Sequence, residues 1–534
     1  MYAALLAVAA LAAAAGPRQT TEESAAFTLG EIEIRTDPIY SEETAARQPL
    51  AALVNVTHWT TRDSVVRREI WIREGESISE SQAAEIERNL RATGLFAEAH
   101  VTLRETDDAG VRDLVVVTRD KLSISGGASA SFVGDFVSGG VSLAESNLFG
   151  TGDRLGFSFR ENDDGERRGS LSYRDRYFLG TWTTMTAEAG ETERGNFAGL
   201  AFSRPFRHLA DPFAWSLVGR TGTLDRDYFA DDDVVAEVPF DEDSGLATAR
   251  WRSGTRDRFW TRGLVADFSD RVYGPAEGPA GGAIRVPGDT TSVFLGGTLS
   301  GTDISEFRKV QGLDTIDFIQ DLRIGSSASA SAGVTLRDEA GMDPEVQPTF
   351  RLSADTSVAI GPDRYFTARL GGNARLFDGD AVGWAIATDL HAYDLSFHPH
   401  TIAASIRFVE AEETQDLPVQ LILGEGNGLR GYPRRQFTGE RLLRLNLEDR
   451  IDLDARIGAF HFGAVVFADI GWIEDRDEGF GEPRRSVGFG MRIGSESILG
   501  ANVLRVDLSF PLDDIDGESF DPLLSASLGQ VFDF

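Results

Sequence analysis

Residues 441–474 read RLLRLNLEDRIDLDARIGAFHFGAVVFADIGWIE. In Arg441–Arg450, Leu443, Leu445 and Leu447 share one face of an extended chain, while Arg444, Asn446, Glu448 and Arg450 share the other. Across Phe462–Trp472 the even positions (Phe462, Ala464, Val466, Ala468, Ile470 and Trp472) are all apolar, and Gly463, Val465, Phe467, Asp469 and Gly471 alternate with them. A soluble sandwich also alternates, but it does not comfortably bury Arg444, Glu448 and Arg450 from a single strand; a wet lumen accepts them. A cation facing lipid at mid-depth costs about 2–4 kcal/mol and a carboxylate somewhat less, which is still enough to turn Asp469 inward. An inward carboxylate needs a partner, and the fork of an arginine is the best match.

The same texture runs outward from this stretch. Arg154–Arg160, Val487–Ile493 and Leu524–Phe534 alternate in the same way, the last with Leu524, Ala526, Leu528, Phe532 and Phe534 on one side and an interruption at Gln530. Segments of this kind number roughly 16 to 20, an even total being expected. No run approaches the roughly 20 apolar residues of a spanning helix. The fold class is therefore mainly β: a transmembrane antiparallel β-barrel over residues 121–534.

Residues 27–120 differ and read as a small α/β unit. Phe27–Ile34 and Leu53–Thr57 are alternative leading strands, and Asp63–Trp71 has a helical mix. Ser79 with Gln82 forms a capping box for a second helix that offers Ala83, Ile86 and Leu90 on one face. Strands Phe96–Glu105 and Val111–Thr118 follow. Residues 1–20, opening MYAALLAVAALAAAA, are expected to be a secretory signal peptide cleaved after Ala15.

Four stretches carry a resemblance. Residues 61–118, GGVSLAESNLFGTG at 139–152, GEGNGLRGY at 424–432 and FADIG at 467–471 are together similar to the BamA/TamA superfamily of outer-membrane assembly and translocation barrels (the bacterial surface antigen family), which place POTRA domains ahead of the barrel. The resemblance implies a 16-stranded barrel in the bacterial outer membrane and a POTRA domain in the periplasm. It also implies a loop folded into the lumen, with Leu429-Arg430-Gly431-Tyr432 meeting the strand motif Phe467, Asp469, Gly471 and Arg430 paired with Asp469. The aromatic end, Phe532 and Phe534, resembles a C-terminal sorting strand. Function follows by implication: insertion or translocation of unfolded outer-membrane or secreted polypeptides, helped by periplasmic assembly factors. A POTRA edge would hold the client, and the barrel seam would open between the strand near Leu122–Phe132 and Leu524–Phe534. A dedicated polypeptide secretion pore and a passive outer-membrane channel are the alternatives. Only one POTRA unit is visible, where assembly barrels usually carry several and secretion pores two.

Composition narrows the remaining classes. A net charge of −33 argues against nucleic acid. With no cysteine, disulfides and Cys-ligated metals are unavailable. His398 and His400 would share a strand face but lack a carboxylate cluster to complete a metal site. No strand-to-helix context makes the glycines at 424, 426, 428 and 431 a phosphate loop. Neither a metalloprotease nor a serine-nucleophile motif is present, so no cofactor and no enzymatic activity are expected.

Overall fold

A computed structural model describes residues 26–532, apart from 134–135, 163–166, 193–194, 317, 476–478, 496–502 and 515–519. The expected signal peptide and Phe534 lie outside the described residues.

The leading unit is a four-stranded sheet backed by helices. Strand β1 (Ala26–Asp37) pairs in parallel with β4 (Val111–Asp120) and, over three residues, antiparallel with the short β2 (Ser77–Ser79). Strand β3 (Phe96–Glu105) pairs antiparallel with β4, so the order is β2-β1-β4-β3 and β3 is an edge. The capping box at Ser79 and Gln82 opens the helix Glu80–Ala92, which buries Ala83, Ile86 and Leu90 against the sheet. Leu114 and Val116 meet them from β4, with Val65 and Val66 from the helix Asp63–Glu69. The alternative leading strand Leu53–Thr57 is instead part of the helix Pro49–Thr57, with proline at its first turn. Leu53 and Val56 are exposed.

Twenty strands then close an antiparallel barrel, from Ile124–Val133 to Leu523–Leu528. This corrects the 16 implied by resemblance and matches the upper end of the periodicity count. Short segments such as Asp153–Asn162, Arg167–Asp175, Thr184–Glu191 and Asn196–Arg204 each pair as separate strands. The outer wall is an apolar belt on which Leu217, Leu264, Leu299, Phe350, Val466 and Phe489 are exposed. Polar residues such as Thr261, Thr335 and Gln347 alternate inward. No described helix is long and apolar enough to cross a membrane. Interior width grows with strand number, and here chain fills it: the loop between the strands His400–Glu413 and Arg441–Ile457, the turn at 311–316, and the tail at 529–532.

That tail is a second correction. The final strand, expected over Leu524–Phe534, stops at Leu528 among the described residues. Gly529 takes a left-handed φ of +93°, available to it because it has no Cβ. The chain then turns inward, and Phe532 is buried beside His391 and Tyr393, with ring centroids 5.7 and 6.4 Å away. The break falls where Gln530 interrupts the alternation.

The α/β unit is docked on the near rim of the barrel. The turn carrying Asn147-Leu148-Phe149-Gly150 is the joint. Asn147 Nδ2 donates to the Trp59 carbonyl and Thr61 Oγ1, both at 2.9 Å, and the Arg62 N–H donates to the Gly150 carbonyl at 3.0 Å. Trp59 packs against Phe149 at 5.1 Å. Further along the rim, Arg91 makes a two-pronged bond to Asp321 at 2.7 Å per prong. Glu87 bonds Arg91 and Lys309. Burial works to raise the Glu87 pKa, but hydrogen bonds from Lys309 and Arg91 outweigh it and hold it at about 2, against an ordinary 4.5. A depressed carboxylate stabilises the state that depresses it at high pH and ceases to do so on protonation. Docking is thus expected to keep the full Glu87 contribution above about pH 4.5 and to lose it as pH falls toward 2. A crosslink between the helix Glu80–Ala92 and the rim, followed from pH 6 to 2.5, checks this.

Candidate functional site: a lumenal loop–strand lock

The site is built on the two strands that open the sequence argument. Strand Arg441–Ile457 lies antiparallel to Phe460–Glu474, with Asn446 opposite Asp469 and Glu448 opposite Phe467. Alternation turns all four side chains inward, and Asn446, Glu448, Phe467 and Asp469 are buried. The loop reaches them through a short hairpin, Leu421–Leu423 with Phe437–Gly439. A tight turn follows, at which Gly428 and Gly431 adopt φ of +86° and +91°. A side chain at Gly428 would strike the Arg444 guanidinium.

Arg430 is the key of the lock and has no solvent exposure. Its Nε and Nη2 donate to the two Asp469 oxygens at 2.7 and 2.8 Å, and its Nη1 donates to Glu448 Oε1 at 2.7 Å. The guanidinium stacks on the Phe467 ring at 3.5 Å. The structure therefore brings together all seven residues singled out from the loop and strand motifs. Leu429 and Tyr432 pack with Leu423, Leu442 and Ile473, and the Tyr432 hydroxyl donates to the Arg485 carbonyl at 2.9 Å. Gly431 passes close to Ser509 and Pro511, and Gly471 leaves room for Leu423.

Sequence reasoning placed Glu448, Arg450 and Asn446 on the inner face without giving them a task. Glu448 proves central, because its oxygens divide. Oε1 holds Arg430 of the loop, and Oε2 accepts from Arg450 Nε at 2.8 Å. Arg450 in turn donates to the Leu313 carbonyl at 2.8 Å and the Phe532 carbonyl at 2.9 Å. Arg492, paired with Asp507, holds Gln530 at 3.1 Å. One buried network thus fastens both the loop and the C-terminal tail. Its legible signal was position: Glu448 is two residues from Asn446 on the face that meets Asp469. Phe532 belongs to this network and lies past the end of the last wall strand. Phe532→Ala is expected to remove about 3–5 kcal/mol of local anchoring. Faster hydrogen exchange over 523–532, with the Arg430 lock unchanged, is the corresponding readout.

At its far end the loop is tied to the hairpin between Phe213–Ala230 and Asp233–Gly254. The Arg435 N–H donates to Asp232 at 2.8 Å, and Gln420 exchanges two hydrogen bonds with the Phe229 backbone. The acidic run Asp231–Asp233 therefore anchors the loop in part.

A Ser/His/Asp grouping does occur, at the joint. His58 bonds Asp120 at 2.9 Å and Ser123 at 3.0 Å. All three are buried, and Asp120 also accepts from the Thr61 N–H at 2.8 Å, so the group braces the connection between unit and barrel.

A closed barrel with a lipid-facing apolar belt, a lumen filled by its own loop and an α/β unit at one rim defines an outer-membrane β-barrel. No family model matches the chain. Over 133 residues it is 32% identical to the outer membrane protein assembly factor BamA of Neorickettsia risticii; the match covers 24% of this chain and 17% of that protein. Among solved structures, BamA from Haemophilus ducreyi lacking POTRA domains 1–3 is similar at 13% identity and a TM-score of 0.42, covering 94% of this chain and 84% of that one. CdiB from Escherichia coli is similar at 11% identity and a TM-score of 0.45, covering 94% and 76%. In its loop and strand motifs and in the stretch shared with an assembly factor the chain is similar to the BamA/TamA superfamily, although it spans only a small part of that relative's length; its barrel resides in the outer membrane.

Proposed function

We propose that this protein inserts or translocates polypeptides at the outer membrane, with the α/β unit in the periplasm, without a catalytic step or a cofactor. The observation that carries this reading is the seam. The barrel closes between Ile124–Val133, ten residues long, and Leu523–Leu528, only six and the shortest described strand of the wall. Six residues cannot pair all of a ten-residue edge, and unpaired backbone groups facing lipid are costly until another strand satisfies them. A client strand would supply that pairing, and burial of its apolar surface would drive completion. The β3 edge is the natural first contact, because added strands are read through backbone more than sequence. Periplasmic assembly factors would deliver clients to it.

Depletion followed by quantitative outer-membrane proteomics tests the reading. Loss of many barrels is the expected result. Loss of a single exported protein would favour a dedicated pore, a reading supported by the lumenal loop as a displaceable plug. Unchanged membrane proteins beside steady single-channel conductance would indicate a passive channel and refute the proposal.

A further inference from the structure

The α/β unit does not meet the rim flush. Between the helix Glu80–Ala92 and the near ends of the barrel strands lies a cavity of about 580 Å³, within the usual range of ligand sites. Phe259, Ile304, Phe307 and Ile319 give it apolar surface, and its charged lining comprises Glu85 and Asp321 with Arg88, Arg91, Arg252 and Arg323. Neighbouring cations are already committed: Arg91 to Asp321, and Arg256 to Glu85. Arg88 and Arg252 are not. Among the described residues no carboxylate is hydrogen-bonded to either. Arg88 rests on the Phe307 ring at 3.9 Å. Arg252 lies over Phe206 and Phe259 at 3.8 and 4.1 Å and donates only to the carbonyls of His208 and Leu209. Its Nε is buried without a hydrogen-bond partner. Burial pushes the Arg88 pKa down, against the pull of the nearby Glu85 and Asp321 carboxylates. In a chain of net charge −33, two such cations beside aromatic rings suit an anion that carries apolar surface of its own.

Position argues for peptide over lipid. Phe259 faces the lumen, alternating with the exposed Trp260 on its strand, and Arg252 alternates likewise with Trp251. Gln320, Asp321 and Arg323 also line a second cavity of about 680 Å³, which continues past Ser353, Asp355 and Arg369. Charged groups of both signs, Asp321, Arg323, Asp355 and Arg369, recur along that path between apolar side chains, which suits a peptide and not an acyl chain.

We infer that the cavity under the helix Glu80–Ala92 is a subsite for a carboxylate on an extended polypeptide with apolar neighbours, taken by Arg88 and Arg252 while Phe259 and Phe307 receive the adjoining side chain. The inference rests on the insertion or translocation reading and adds a client-binding site to it. The carboxylate belongs either to a chain terminus or to an acidic side chain.

Fluorescence anisotropy on the full chain in detergent micelles tests this with labelled peptides of alternating Val and Thr ending in Phe. One peptide has a free terminus, one is amidated, and one is amidated with an internal Glu. The free acid should bind about tenfold more tightly than the plain amide. Rescue by the internal Glu would assign the carboxylate to a side chain, and failure of rescue to the terminus. Arg88→Gln should erase the difference between acid and amide. Ile319→Asp, placing a like charge on the half-exposed lip, should do the same while both arginines stay in place. Equal binding of acid and amide, parental selectivity in both variants, or displacement by a lysophospholipid and not by unlabelled acid peptide would overturn the inference. Selective peptide binding alongside an unchanged proteome after depletion would instead sink the functional reading and leave the subsite standing.

Discussion

Arg430→Ala is expected to release the lumenal loop and to lower barrel stability by about 3–5 kcal/mol, the scale for breaking a buried ion pair and stranding its partners. The stranded groups are Asp469 and Glu448, neither with measurable exposure. Asp469→Ala should show a similar defect, and the double variant should be little worse than Arg430→Ala, because both break the shared Arg430–Asp469 pair. Arg430→Lys should retain little of the lock. Three of its guanidinium nitrogens bond two carboxylates along fixed directions, and an ammonium lacks that fork. Denaturant midpoints in micelles, with protease nicking of residues 414–440, provide the measurement. Additive losses, or a loop as protected in Arg430→Ala as in the parent, would remove the lock from the account. Because the pair is dry, the effect should persist in 1 M salt, where exposed pairs at the docked rim weaken.

Gly150→Ala is expected to undock the α/β unit from the barrel. Gly150 has φ of +74°, and a side-chain carbon there would run into the Thr60 carbonyl oxygen. The left-handed conformation alone costs an L-residue about 1–2 kcal/mol, and the collision adds to it. Asn147→Ala should act in the same direction more mildly, by removing the two hydrogen bonds to Trp59 and Thr61. The chain has no cysteine, so spin labels at Val56→Cys and Asp257→Cys report one distance between unit and rim. A narrow distribution in the parent that broadens in Gly150→Ala is the expected result. A distribution unchanged in both variants would show that the rim ion pairs, and not this turn, set the docking angle.

Much of this architecture was legible in the chain. Alternation over Phe462–Trp472 placed Asp469 inward because a strand permits only two faces and one is lipid. The capping box at Ser79 located a helix, since its geometry is local. Leu53–Thr57 misled for the opposite reason: a short apolar run suits a strand or a helix until a partner strand is present or missing. The tail misled too, because a single left-handed glycine at 529 counts for little in a periodicity and yet redirects everything after it.

By itself the sequence determined the barrel, the inner and outer faces of its strands, and the pairing of a loop arginine with a strand aspartate, because each follows from period, burial cost and motif. Only the tertiary structure decided that twenty strands close, that Phe532 lies in the lumen, and that Glu448 serves both Arg430 and Arg450. These depend on which distant segments share one enclosed space. Local alternation cannot specify which segments those are, because it fixes a side chain's direction and not what stands opposite it.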